Sequence, residues 1–341
     1  MILVVLFFLG FSLLLYVLLG GADFGAGIIE LFSSKTNQDI TKKTIYRVMG
    51  PVWEANHIWI IILIVILWIA FPVYYNIMVT SLHIPLTLML LGITLRGVAF
   101  VFRHYDAYID KSQKVYNWMF RVSSLFTPIL LGMVFGGMVS SKIILTKNIA
   151  NANFYAVYMA PWLNLFSFFV GIFFASLCAF LSAVLLIGEA DEEGYAVYVK
   201  KASIATIVVV VVGFITISYG YFAGYPFVKG IVSNKLSIVL ILLSGLCLLP
   251  LWSYIRKGSS IISRSLAGLQ VLLIIAVAII PHFPNVLMIE GDSLSILENK
   301  APASVIKVLG ISLIIGGSVI VPGLIHLLKS FKLIKILERK E

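Results

Sequence analysis

Long uninterrupted runs of apolar residues, separated by short polar segments, dominate this chain. A membrane-spanning helix needs about 20 such residues, and nine runs reach or approach that length. The predicted spans are 2–30, 52–72, 77–102, 117–141, 156–187, 203–224, 236–254, 260–280 and 304–328. The runs do not alternate polar with apolar residues, as the strands of a membrane β-barrel would. We therefore predict an all-α, polytopic membrane protein whose residues 1–341 form a single membrane domain.

The composition and the basic residues support this prediction and orient the chain. Hydrophobic residues make up 61% of the chain and charged residues 12%, against roughly 25% charged in soluble domains. Most lysines and arginines follow odd-numbered spans or lie in the tail after residue 328. Cytoplasmic loops are enriched in these residues, so the N-terminus is predicted outside and the C-terminus in the cytoplasm. The net charge of +10 then reflects topology and anionic lipid, and no aromatic-interleaved basic patch suggests nucleic-acid binding.

Two further absences in the sequence narrow the prediction. The first basic residue is Lys35, whereas a cleaved signal peptide begins with a positive region, so we expect the first span to be retained. Cys178 and Cys247 lie in separate spans without a C-x-x-C motif. Neither a disulfide nor a thiolate metal site is therefore expected.

Three charged residues lie clearly inside predicted spans: Asp23, Glu54 and Arg96. A charge at the bilayer centre costs about 2.5–3.5 kcal/mol on insertion scales, so such residues tend to be functional. On the predicted topology all three lie in the cytoplasmic third of the membrane. Because there are two acidic residues and one basic residue, one carboxylate has no basic partner and can hold a proton near neutral pH. Such a carboxylate would suit a proton relay open to the cytoplasm. A structural ion-pair network accounts for the same residues equally well.

The polar residues at the start of the second span form the densest group of candidates. They are Trp53, Glu54, Asn56, His57 and Trp59. Pro51 suits the first turn of a helix, which would place Glu54 about one turn inside the membrane. His57 is predicted to be a hydrogen-bonded partner of Glu54 or Asn56. His83 lies toward the opposite face of the membrane, so the histidines do not provide a convincing pair of haem ligands.

A short repeated motif suggests that the chain contains two similar halves. Gly188-x-Ala190-Asp191 resembles Gly21-Ala22-Asp23 at an offset of 168 residues. The offset predicts a pseudo-repeat of 1–141 and 156–280, each a four-helix bundle, with a peripheral helix at 304–328. The longest stretch between spans, from Pro281 to Pro302, contains prolines that argue against a continuous helix.

In these motifs the chain resembles subunit II of cytochrome bd-type quinol oxidases. The matching stretches are Gly21-Ala22-Asp23-Phe24-Gly25-Ala26-Gly27, Pro51-Val52-Trp53-Glu54-Ala55-Asn56-His57-Ile58-Trp59, Arg96-Gly97-Val98-Ala99-Phe100 with Arg103, and Phe283-Pro284-Asn285. The first three occur in the expected order over residues 21–103. The remainder of the chain matches in the number of helices, topology and length.

The resemblance implies a partner, subunit I, which carries the b- and d-type haems and the quinol site. The complex oxidises quinol and reduces dioxygen to water in the prokaryotic cytoplasmic membrane. This chain would stabilise subunit I as a haem-free, pseudo-symmetric half, with no cofactor or metal site of its own and no activity in isolation. The resemblance leaves open whether the chain also binds a quinone or a lipid, and whether a small single-helix subunit attaches to the complex.

The resemblance also assigns roles to the intramembrane residues. The family has Asp or Glu where Glu54 stands, and that carboxylate is assigned to the proton path from the cytoplasm. We place Asp23 and His57 on the same path. The supporting residues are Trp53, Asn56, Trp59, Arg96 and Arg103. Gly20 stands where the family often has another Asp, so a relay through two acids would be altered in this chain.

Two other functions are compatible with parts of the sequence. Buried carboxylates and four-helix repeats would suit a proton-coupled secondary transporter. Transporter sites usually lie near the midplane on broken helices, whereas the charges here lie toward the cytoplasm. A stand-alone b-type cytochrome would require two histidines at similar depth.

Overall fold

The computed structural model describes residues 1–50, 52–105, 111–145, 153–189, 192–257 and 259–330. Within these ranges nine helices are long and apolar enough to cross a membrane, which confirms the predicted number. They are Ile2–Leu31, Trp53–Ala70, His83–Arg103, Ser112–Val139, Leu165–Ile187, Gly194–Phe222, Lys235–Lys257, Ile261–Ile279 and Ala303–Leu327. Pro51, Asp191 and the tail after residue 330 lie outside the described residues.

The first span is a single rod made of three helical segments. Helix α1 (Ile2–Leu15) passes through a π-helical turn (Tyr16–Gly20) into α2 (Gly21–Leu31). The other spanning helices are α4 (Trp53–Ala70), α6 (His83–Tyr105), α7 (Ser112–Val139), α9 (Leu165–Ile187), α10 (Glu192–Phe222), α12 (Lys235–Lys257), α13 (Ser260–Ile279) and α14 (Ala303–Ser330). Shorter helices are α3 (Lys35–Met49), α5 (Pro72–Ser81), α8 (Phe154–Tyr158) and α11 (Pro226–Ser233).

Some predicted boundaries differ from the structure for local physical reasons. Phe71, with φ −133° and ψ 58°, separates α4 from α5, because a residue that precedes proline is pushed out of the α region. The predicted span 77–102 is interrupted at Leu82, so the crossing itself begins at His83. Helix α10 begins well before residue 203, because a helix can continue beyond the apolar run into polar residues.

Helix α9 lies at the centre of the fold, packed closely against α2, α7 and α10. A Cβ atom on Gly25 of α2 would lie 1.9 Å from the Cys178 carbonyl oxygen. On α7, a Cβ on Gly132 would lie 2.7 Å from the Gly171 Cα, and one on Gly136 would be equally close to the Ser167 Cα. Glycine therefore lets these backbones approach each other, as small residues do in membrane helix contacts.

The packing of the helices agrees with two similar bundles, although the repeat stays a prediction. Helix α6 packs on α7 as α12 packs on α13, and α2 packs on α7 as α9 packs on α13. Helix α14 lies outside both sets, against α1 and α4. Asp23 of the motif that suggested the offset lies within α2, whereas Ala190 and Asp191 of the second copy lie outside the described residues.

The segment between α13 and α14 contains a small β-hairpin rather than a helix. Strand β1 (Leu287–Ile289) pairs antiparallel with β2 (Asp292–Leu294). The turn contains Gly291 at φ +78°, a conformation that glycine adopts without a steric penalty. The fold thus has one short sheet in addition to the helices that the sequence predicts.

Tyr74 of α5 attaches this hairpin to the helices. Its hydroxyl donates to the Leu294 carbonyl and accepts the Leu287 backbone N–H at 3.0 Å. Burial raises the pKa of the Tyr74 hydroxyl above its usual range, so the group stays protonated and continues to donate. One side chain therefore holds both strands.

Replacing Tyr74 with phenylalanine should loosen the hairpin. The Leu287 N–H and the Leu294 carbonyl would lose their shared partner, and an unsatisfied buried group costs about 1–3 kcal/mol. Hydrogen–deuterium exchange should show faster exchange at the Leu287 amide. Tyr75→Phe, on the same helix, provides the control, and equal exchange in the two variants would contradict the role of Tyr74.

Candidate functional site

Asp23 and Arg96 form a buried, two-point ion pair between α2 and α6. Arg96 Nη1 lies 2.6 Å from Asp23 Oδ2, and Nη2 lies 2.8 Å from Oδ1. The same Nη2 donates to the Asp23 carbonyl at 2.9 Å, and Nε donates to Ser124 Oγ at 3.0 Å. The two side chains are only 1–2% exposed. This fork geometry is among the stronger hydrogen-bonding arrangements in proteins, and it engages both carboxylate oxygens.

A second ion pair follows along the same two helices. Arg103 Nη2 lies 2.7 Å from Glu30 Oε2, and Arg121 Nε of α7 lies 3.8 Å from Glu30 Oε1. Each of the two arginines of α6 follows its carboxylate partner by 73 residues. Residues that are two helical turns apart share a face, so the pairs form two rungs of one ladder, hereafter the ion-pair ladder (Asp23–Arg96 and Glu30–Arg103).

Arg103 was predicted as a supporting residue, whereas Glu30 was not predicted as part of the site. Glu30 is the last residue of the predicted first span, where a charge is usually assumed to reach water. The structure instead leaves only 3% of Glu30 exposed. The equal separation of the two acid–base pairs along the chain was the signal that could have identified it.

Phe120 of α7 fills the space between the two rungs. Its ring is fully buried, with the Arg96 Cζ 5.0 Å and the Arg103 Cζ 4.6 Å from the ring centroid. A guanidinium within about 6 Å of an aromatic centroid is attracted to the ring. The ladder is therefore held by three helices, α2, α6 and α7.

Glu54 differs from the two ladder acids in both burial and pairing. It lies in the first turn of α4 and is exposed on the surface of the chain. Among the ion pairs found in the described part of the chain, none involves Glu54. The positive end of the helix dipole favours a carboxylate at this position. The structure thus pairs Arg96 with Asp23, a choice between the two acids that the sequence left open, and leaves Glu54 outside the described ion pairs.

His57 is one turn further along α4, and the predicted hydrogen bond to Glu54 or Asn56 is wrong. Its Nδ1 lies 2.9 Å from the Trp53 carbonyl oxygen, and its buried Nε2 has no hydrogen-bond partner within the described part of the chain. The carbonyl one turn earlier in the same helix is closer in space than either predicted side chain. The ring instead points inward, with its centroid 5.6 Å from that of Phe24.

The other predicted residues of α4 serve mainly as packing groups. The Trp53 ring lies 5.6 Å from that of Phe100 and covers Gly97, where a Cβ would lie 3.2 Å from Trp53 Cζ3. Trp59 is 3% exposed, with its ring 5.7 Å from that of Phe11. Asn56 is also buried. These contacts hold α4 against α1 and α6.

Two further charged residues that the sequence did not single out, Glu189 just after α9 and Lys201 within α10, also have polar partners. Glu189 pairs with Arg264 at 2.8 Å, and Lys201 donates to Ser33 Oγ at 2.6 Å and to Thr41 Oγ1 at 3.0 Å. Glu189–Arg264 joins the first and fourth helices of the second bundle, as Glu30–Arg121 does in the first. The two pairs add a chemical parallel to the predicted repeat.

Among the described residues, no group of three or more His, Cys, Asp or Glu side chains could hold a metal ion. His83 lies at the start of α6 near Thr80 and Tyr158, at the other end of the membrane from His57. Both cysteines are free.

The amino-acid sequence of this chain is similar to those of known proteins. A family model described as cytochrome bd terminal oxidase subunit II matches residues 1–331. The chain is 26% identical over 289 residues to the cytochrome bd ubiquinol oxidase subunit 2 of Bacillus subtilis strain 168, covering 84% of this chain and 80% of that protein. It is 23% identical over 131 residues to the cytochrome bd-I ubiquinol oxidase subunit 2 of Escherichia coli K12, covering 38% of this chain and 33% of that one.

A solved structure shares the fold. The chain matches one described as the structure of bd oxidase from Geobacillus thermodenitrificans with a TM-score of 0.75 and 18% sequence identity. The match covers 97% of this chain and 99% of the other. The agreement therefore extends over the full set of spanning helices.

Proposed function

The chain belongs to the cytochrome bd terminal oxidase subunit II family, and from this premise we propose that it is the haem-free subunit of a complex that oxidises quinol and reduces dioxygen to water. It is a multi-pass membrane protein and a subunit of an oxidoreductase. In the proposal, the b- and d-type haems and the quinol site belong to subunit I. This chain stabilises that subunit and provides a cytoplasm-facing proton path through Glu54.

The observation that carries the proposed path is the contrast between Glu54 and the ion-pair ladder. Asp23 and Glu30 each accept hydrogen bonds from an arginine, so each carboxylate has a fixed cationic partner. Glu54 has no such neighbour among the described ion pairs and is exposed on the chain. A carboxylate that no fixed cation holds is available to exchange a proton with water or with a partner protein.

The position of Glu54 also supports a partner subunit on this face. A carboxylate about one turn inside the membrane is costly against acyl chains, so a protein surface or trapped water is its favourable environment. Ile61 and Trp68 lie two and four helical turns from Glu54 on the same face of α4, and each is more than half exposed. Apolar side chains around one functional acid suit contact with a second membrane protein.

Asp23 and His57 take different roles along the proposed path. His57 lies at nearly the same depth in the membrane as Glu54 and has a buried ring nitrogen. In the proposed path it therefore receives the proton from Glu54. Asp23, bound at both oxygens by Arg96, fixes the helices and the local field around the path. The orientation proposed for the chain, with the N-terminus outside and the C-terminus in the cytoplasm, places Glu54 on the side from which protons are drawn.

Glu54→Gln tests this function. Removing a positioned proton carrier should slow quinol-driven oxygen uptake by on the order of 100-fold, whereas Glu54→Asp, which keeps the carboxyl, should retain much of the rate. Glu290→Gln, at an exposed acid in the hairpin turn, is the matched control. Rates are expressed per haem in the purified complex.

Two outcomes would contradict different parts of the proposal. Wild-type turnover and proton uptake in Glu54→Gln would remove the relay role. A chain that purifies alone and colourless, without a haem-bearing partner, would remove the subunit role and favour the proton-coupled transporter.

A further inference from the structure

The π-helical turn in the first span holds an unusual tyrosine. Tyr16 is only 4% exposed, and its buried hydroxyl has no hydrogen-bond partner among the described residues. The ring leans over Gly20, where a Cβ would lie 2.8 Å from Tyr16 Cε2. Single π-helical turns inside α-helices frequently occur at functional sites. The missing side chain at Gly20 is therefore what lets the phenol ring occupy this place.

The edge of the Tyr16 ring meets His57 across the contact between the first span and α4. The two ring centroids are 6.2 Å apart, with an interplanar angle of 73°. His57 Nδ1 lies 2.9 Å from the Trp53 carbonyl oxygen, and since a carbonyl can only accept, Nδ1 carries the hydrogen of the neutral ring. Nε2 then presents a lone pair. Like the Tyr16 hydroxyl, Nε2 is buried and has no hydrogen-bond partner among the described residues.

The two unsatisfied groups are chemically complementary. The Tyr16 hydroxyl can donate and accept, and His57 Nε2 can accept. Buried polar groups nearly always have a partner, either in the protein or in ordered water, and buried water commonly joins such groups. The Asp23–Arg96 ion pair and Cys178 are the other titratable or charged groups within electrostatic reach of Tyr16.

We propose that Tyr16 is a proton-relay residue whose hydroxyl is linked through ordered water to His57 Nε2, so that the path beginning at Glu54 continues from α4 into the first span. This inference rests on the proposed function of Glu54. A proton that arrives at Nε2 forms an imidazolium, in which Nδ1 keeps its hydrogen bond to Trp53. The proton then leaves through water to the Tyr16 oxygen as the hydroxyl passes its own hydrogen to a second ordered water on the far side of the phenol. Both residues end the transfer in their starting protonation states.

Tyr16→Phe in the whole complex tests the relay, because it removes the hydroxyl and keeps the ring. Quinol-driven oxygen uptake per haem should fall roughly 3- to 10-fold, the rate equivalent of losing one hydrogen bond. The ratio of the rates in H₂O and D₂O should rise, because proton transfer would limit turnover more strongly. Tyr198→Phe, at a buried tyrosine of α10, should leave both quantities at their wild-type values.

Gly20→Ala provides a second variant that keeps the hydroxyl but displaces the ring. It should also lower turnover and raise the isotope effect. Wild-type turnover and isotope effect in Tyr16→Phe, together with a slow Glu54→Gln, would overturn the relay while leaving the proposed function intact. Wild-type values in both Tyr16→Phe and Glu54→Gln would overturn the proposed proton path through Glu54 itself. Expressing rates per haem keeps these comparisons valid if a variant assembles in lower amounts.

Discussion

Replacing Arg96 with leucine should destabilise the protein by about 3–5 kcal/mol, the usual result of removing one partner of a buried ion pair. Asp23 would be left as a buried charge with neither oxygen paired to a cation. The Ser124 hydroxyl would also lose the N–H that donates to it. The loss should be visible as a lower thermal transition of the purified complex, followed by its haem absorbance.

The double variant Asp23→Leu/Arg96→Leu separates charge burial from simple loss of contact. Replacing a buried ion pair with apolar groups of similar size is often neutral or stabilising, so the double variant should recover most of the stability that Arg96→Leu loses. Arg256→Leu, at an exposed position of α12, should change stability by no more than about 0.5 kcal/mol. A double variant as unstable as the single one would show that uncompensated charge is not the main cause.

Gly25→Ala should have the second large effect, at least about 3 kcal/mol, the upper end of the usual cost of overpacking. Its Cβ would lie 1.9 Å from the Cys178 carbonyl oxygen and 2.7 Å from the Ser182 Cβ. Since the nearest obstacle is backbone, no side-chain rotation can relieve the clash, and α2 must move away from α9. The yield and thermal stability of the assembled complex measure the effect.

Two other glycines of the same span provide controls for Gly25→Ala. A Cβ on Gly21 would meet its nearest neighbours at 3.5 Å, and a Cβ on Gly10 would have nothing within 4 Å. Gly21→Ala should therefore be tolerated, and Gly10→Ala should be neutral or slightly stabilising because alanine favours helix. Equal stability of Gly25→Ala and Gly10→Ala would contradict the close approach of the two backbones.

The hydrophobic pattern was sufficient to predict the nine spans because the bilayer imposes one length and one polarity on every crossing helix. It could not predict the break at Leu82, which divides what looks like a continuous apolar run. The sequence pattern also did not predict the hairpin, because the hairpin is attached through Tyr74, which lies more than 200 residues away along the chain.

The candidate site was predicted in part, and the two failures have separate causes. Asp23 and Arg96 were expected at the same depth and form a pair. Glu30 was missed because a charge at the end of a span can face water or protein, and only tertiary packing decides which. His57 was given the wrong partner because a side-chain pattern does not include the carbonyls of its own helix.

The ion-pair ladder has a consequence for hybrids between related subunits. One added residue turns an α-helix by about 100°, so an insertion between Asp23 and Glu30 would keep at most one rung in phase with α6. Two rungs therefore fix the height and the rotation of α2 against α6 together. A functional chimera should take both helices from the same parent, and crossover points are better placed after Arg103.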